Sequence, residues 1–158
     1  MFMRVGRTGT SDADREGLAG FLLQRGLAVA PSSDSTHHLI SDDGYLAFDG
    51  YQSDLHLDPL DQEKPVSGGI WHAHLSDEEC AFIYDLCVAG RMLIVNPQGN
   101  PLLIVPGHNH TPAELPDDVD VNDIAWIDSS SELAQVLSTG FAAFLEFKNR
   151  VIGASGDA

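Results

Sequence analysis

The sequence predicts a single α+β domain: one mixed or mostly antiparallel sheet with about three helices packed on it. Three observations carry that expectation. Ser76 with Glu79, and Ser129 with Glu132, are capping boxes that each open an apolar-periodic stretch of helical length. The apolar runs Arg91 to Val95 and Leu102 to Val105 flank Asn96-Pro97-Gln98-Gly99-Asn100-Pro101, which is dense turn chemistry. Asp42-Asp43-Gly44 separates His37-His38-Leu39-Ile40 from Tyr45-Leu46-Ala47-Phe48, a tight-turn signal between two strands. The 158 residues suit one domain, and 43% apolar residues suffice for its core.

In chain order, residues 1–10 read as a flexible start, 11–152 as the folded domain and 153–158 as a flexible end. Ser11 to Gly26 reads as a helix capped by Ser11, with Leu18, Phe21 and Leu22 inward and Gly26 just past its end. Residues 36–49 form the hairpin, and 50–65 an acidic loop or edge strand with Pro59 and Pro65. Val66 to Leu75 reads as a strand. The helix opened by Ser76 buries Ala81, Phe82, Leu86 and Ala89 and stops at Gly90. The two apolar runs after it read as mid-sheet strands. An acidic loop, Gly107 to Asp123, leads to a short strand, Ile124 to Ile127. The last helix runs from Ser129 to about Val151, interrupted by Gly140.

Charge narrows the function. The chain carries 24 acidic against 8 basic residues, a net charge of −16. Between Leu27 and Phe147 there are 20 acidic residues and only Lys64 and Arg91 as cations. Such a surface repels nucleic acid and anionic membranes and attracts a basic protein. Solubility alone is the other reading of the same charge, and with it a structural or adaptor domain. No apolar run approaches the roughly 20 residues that span a bilayer, and no apolar segment follows Arg4 and Arg7 as in a signal peptide, so the expected location is cytoplasmic.

Enzyme signatures are sparse, and a non-enzymatic role is expected. There is no Gly-x-Ser-x-Gly elbow, no P-loop and no Gly-x-Gly-x-x-Gly. Cys80 and Cys87 lie two turns apart on one helix, too far to bridge, and read as buried free thiols. The alternative chemistry is a metal site. His72 and His74 at i, i+2 on a strand share a face, and His108 and His110 repeat the spacing, so the four are candidate ligands for Zn or Fe. His72-Ala73-His74-Leu75-Ser76-Asp77-Glu78 resembles the first metal motif of cupins, and Pro106-Gly107-His108 the second. Against that, Ser76 to Glu79 reads as a helix start, the second motif is wrongly spaced, and the strands are too few for a jelly roll. Without a metal role, no cofactor is expected.

Two acidic blocks on loops are the candidate binding surface: Asp42, Asp43, Asp49, Asp54, Asp58, Asp61 and Glu63, then Glu114, Asp117, Asp118, Asp120, Asp123, Asp128 and Glu132. Tyr45, Tyr51, Trp71 and Trp126 lie near them as candidate anchors. The partner-binding set is Asp42, Asp43, Asp49, Tyr51, Asp54, Asp58, Asp61, Glu63, Asp117, Asp118 and Asp120. Size, acidity, a short α+β layout and the segment Ile124 to Leu133, a strand leading into a terminal amphipathic helix, resemble small bacterial immunity proteins. These neutralise toxins delivered by type VI secretion or related contact-dependent systems. The resemblance implies a non-enzymatic inhibitor that covers a basic toxin surface, such as that of a nucleic-acid- or nucleotide-directed toxin, and assigns no individual residue.

Overall fold

The computed structural model describes residues 1–31, 36–140, 142–146, 148 and 150. In chain order its elements are β1 (Phe2–Gly6), β2 (Gly9–Ser11), α1 (Arg15–Gln24), β3 (Leu27–Pro31), β4 (His37–Ser41) and β5 (Gly44–Tyr45). Then come β6 (Ala47–Phe48), β7 (Tyr51–Gln52), β8 (His56–Leu57), β9 (Gly68–Gly69) and α2 (Asp77–Gly90). The chain continues with β10 (Leu93–Val95), β11 (Leu103–Pro106), β12 (Ile124–Ile127) and α3 (Ser130–Thr139). The main sheet runs β12-β11-β10-β1-β9-β8-β4-β3, with β2 paired to β1 and β5 to β4. Among the described residues only β11 and β12 run parallel, and β6 with β7 forms a separate small sheet. The expected α+β class and largely antiparallel sheet are therefore present.

Alternation along the strands builds two cores. Phe2, Ile94, Ile104, Ala125 and Ile127 point to the face that α1, α2 and α3 cover with Leu18, Phe21, Phe82, Leu86, Leu133 and Val136. Leu93, Leu103, Val105 and Ile124 point the other way, where Leu115 and Val119 of the long acidic loop close over them. That loop is more regular than its composition suggests, with two short 3-10 turns, Pro112–Glu114 and Val121–Asp123.

Several boundaries differ from the sequence expectation. The start is not frayed: β1 lies between β10 and β9, with Phe2 in the core. Helix α1 begins at Arg15, because Asp14 rather than Ser11 is the cap, its carboxylate accepting from the Gly17 N–H. Gly26 takes the expected left-handed conformation (φ 64°). β3 is a strand the sequence pattern does not announce. Of the strand expected over 66–75, only Gly68–Gly69 forms. The N–H groups of Trp71 and His72 go to the Asp54 carboxylate and those of His74 and Leu75 to Glu79, so they are withdrawn from any ladder. Helix α3 stops at Gly140 (φ 90°), and residues 142–146, 148 and 150 are again helical. Val151 and the expected flexible end at 153–158 lie outside the described residues.

Both expected capping boxes are present in a lengthened form. Ser76 and Ser129 accept from the N–H of Glu79 and Glu132. The two glutamates reach past the cap residue itself, Glu79 to Leu75 and His74, Glu132 to Asp128. Cys80 and Cys87 are free and buried on α2, as expected. Burial, then Glu79 and Asp77, pushes the Cys80 thiol up to about 11, and burial pushes Cys87 up as well, so neither is poised as a nucleophile.

Helices α1 and α2 meet at a backbone contact. The Asp14 N–H donates to the Gly90 carbonyl at 2.8 Å. A Cβ on Gly17 would run into the Ala89 carbonyl, and one on Gly90 would sit 2.8 Å from Leu18 Cδ2. A Cβ on Gly20, one turn on, would meet nothing within 4 Å. Gly17→Ala should therefore lower stability by about 1–3 kcal/mol through overpacking. Gly20→Ala on the same helix should raise it by about 0.5–1 kcal/mol. Urea unfolding midpoints of the pair check this, and equal effects would contradict the close approach.

Candidate functional site

The acidic residues divide into those the fold consumes and those it leaves free. Asp58 accepts from the Ser67 N–H and hydroxyl and from the Gln62 amide, pinning its own loop. The same loop is clamped by Arg15, whose guanidinium donates to the carbonyls of Leu60, Gln62 and Lys64 while pairing with Asp12 at 2.8 Å. Asp54 holds the Trp71 and His72 N–H groups and the His72 ring. Burial pushes the Asp54 carboxyl up, but these hydrogen bonds and the His72 charge outweigh it and leave it below the ordinary carboxylate range. Asp120 caps the 3-10 turn after it, and Asp117 pairs with Arg7 at 3.1 Å.

The remaining members of the partner-binding set are exposed. Asp42 and Asp43 form the two-residue turn between β4 and β5, Asp49 sits at the β6–β7 turn, and Asp61 and Glu63 project from the clamped loop. Asp118 projects beside Asp117. Among the described residues none of these six has a cation within ion-pair distance; the Lys and Arg pairs use Asp12, Asp85, Asp117, Asp128 and Glu132.

The two blocks are not one patch. The second lies over the β1, β11 and β12 part of the sheet, next to Arg7. In the first, Asp49 meets the first turn of α2, and Tyr51 and Asp54 meet the loop before it. The Asp49 N–H donates to Glu78, Tyr51 stacks on His74 at 4.9 Å between centroids, and Asp54 holds Trp71 and His72. Trp71 in turn stacks on His56 at 4.6 Å. Tyr51 and Trp71 stay 61% and 58% exposed despite these contacts. Two large aromatics are thus fixed outward among carboxylates. Tyr45 is exposed too, whereas Trp126 is half-buried in the second core. Sequence reasoning placed neither Glu78 nor His56 at this surface; their partners, Asp49 and Trp71, lie 29 and 15 residues away along the chain.

The four histidines offered as Zn or Fe ligands are not gathered. His72 and His74 occupy a loop rather than one strand face, His108 pairs with Asp128 at 2.8 Å, and buried His110 accepts from the Val5 N–H at 3.3 Å. Among the described residues no group of three or more His, Cys, Asp or Glu is placed to hold a metal ion.

His56 and His110 are both held below the usual imidazole range, chiefly by burial. The folded state then prefers the neutral ring. That contribution is complete above the unfolded pKa of about 6.5 and is lost as pH falls through it toward the lower folded value. Unfolding midpoints should drop from about pH 7 to pH 5. His110→Gln, whose amide oxygen still accepts from Val5, should flatten part of the drop; an unchanged profile would contradict the role of burial. No family model, curated protein or solved structure matches this chain.

Proposed function

We propose that this chain is a protein-binding inhibitor of the immunity-protein kind, which neutralises a basic toxin by covering its surface. The observation that supports it most is the uncompensated charge: Asp42, Asp43, Asp49, Asp61, Glu63 and Asp118 are exposed with no cation beside them among the described residues. Unpaired carboxylates repel one another and cost the folded state some stability. A cationic partner relieves that repulsion, steers encounter and slows dissociation. Tyr51 and Trp71, each stacked on a histidine and still exposed, supply aromatic contact area. Binding at such a surface needs no catalytic group. No helix among the described residues is long and apolar enough to cross a membrane.

The test uses the basic, toxin-like product of a neighbouring reading frame. Equimolar chain should abolish its activity. Affinity should fall at least tenfold between about 0.1 M and 1 M salt, where the screening length shrinks from about 10 Å to about 3 Å. Asp42→Lys combined with Asp43→Lys should weaken it further at low salt. Affinity that ignores both salt and charge reversal would sink the reading.

A further inference from the structure

The outer edge of β3 is open. In the main sheet β3 pairs with β4 on one side, and among the described residues no strand lies on its other side. The register fixes which backbone groups face outward. Leu39 of β4 donates its N–H to Leu55 and accepts from the Leu46 N–H, so both its groups point away from β3. Bonding alternates along an antiparallel ladder. Ala28 and Ala30, opposite Ile40 and His38, therefore carry the bonds to β4. Leu27 and Val29 turn their N–H and C=O groups outward, and Pro31 its C=O.

Such an edge is normally blunted by charge, yet β3, Leu-Ala-Val-Ala-Pro, has no charged residue. Only Pro31, at one end, limits it. The Leu27 and Val29 side chains pack against the main core, and Val29 lies opposite buried Leu39, so an added strand would extend an apolar row. Leu23, 82% exposed, stands on the turn into β3, where the Gly26 N–H donates to its carbonyl. The register also places charge. Leu27 faces Ser41, and the exposed Asp42-Asp43 turn follows directly. Arg25, two residues before Leu27, is taken by Asp85 at 3.0 Å. The geometry points to β3 as a docking edge. An extended segment of the basic partner adds to the sheet there as a further strand, with apolar residues beside Leu27 and Val29 and a Lys or Arg against Asp42 and Asp43. Backbone pairing supplies the grip, while side chains and charge choose the segment. This rests on the acidic-inhibitor reading and adds to it how the partner is held.

In the free chain the Leu27 and Val29 amides should exchange with solvent at least tenfold faster than those of Ala28 and Ala30. Protected Leu27 and Val29 amides would mean a closed edge and overturn the inference. The binding probe is a displayed library of random twelve-residue peptides, selected on the immobilised full chain at about 0.1 M salt, where charges still act over about 10 Å. Selected peptides should combine alternating apolar residues with Lys or Arg, and at saturation should slow exchange at Leu27 and Val29 at least tenfold. Val29→Pro removes an outward donor and no bond to β4, so it keeps the fold, which its unfolding midpoint verifies. It should weaken the peptides at least tenfold by fluorescence anisotropy, and so should Asp42→Lys combined with Asp43→Lys. Loss on charge reversal with unchanged exchange at Leu27 and Val29 would overturn strand addition and leave the acidic surface standing. Slowed exchange by peptides that carry no Lys or Arg and ignore charge reversal would overturn the acidic-inhibitor reading and the basic partner with it. A library that yields no binder would overturn the docking edge.

Discussion

A chain with 24 acidic and 8 basic residues cannot pair most of its carboxylates with cations. Many of them accept from backbone N–H groups, some with a cation beside them and some without. Asp12 takes the N–H of Val66, Asp14 that of Gly17, Asp58 that of Ser67 and Glu78 that of Asp49. Asp54 and Glu79 take two each, and Glu132 takes that of Asp128. A hydrogen bond to a charged acceptor contributes about 1.5–3 kcal/mol, more than a neutral one. The loops of this protein are therefore held by carboxylates in the role that strand ladders play elsewhere.

This use of carboxylates explains what was legible in the sequence. Helix α2, the β4–β5 hairpin and strands β10 to β12 follow from local signals: a cap, a turn dipeptide, an apolar run. The strand expected over 66–75 failed for a tertiary reason, since Asp54 and Glu79 compete for its N–H groups and one of them is 17 residues distant from Trp71. Strand β1 was hidden because five residues at a chain start carry no period of their own; Phe2 acquires its meaning only against Ile94 and Gly68.

The candidate surface was half legible. Composition names every acidic residue, but not which are spent. Asp54 and Asp58 look like Asp42 and Asp43 in sequence, yet the first pair is structural and the second is free. Aromatic exposure was equally unreadable: Trp71 and Trp126 both stand in apolar stretches, and only packing turns one outward and half-buries the other.

The position of β1 has a consequence for synthesis. Strand β1 sits between β9 and β10, with Phe2 paired to Gly68 and Ile94, 66 and 92 positions further along the chain, and the sheet is completed by β12 near residue 127. Non-local pairings of this kind fold slowly, because loop closure precedes any reward. Arg4 to Gly6 pair locally with β2, but Phe2 and Met3 meet their partners only once those distant strands exist. A net charge of −16 makes copies of the chain repel one another, which opposes association through strands that have yet to pair.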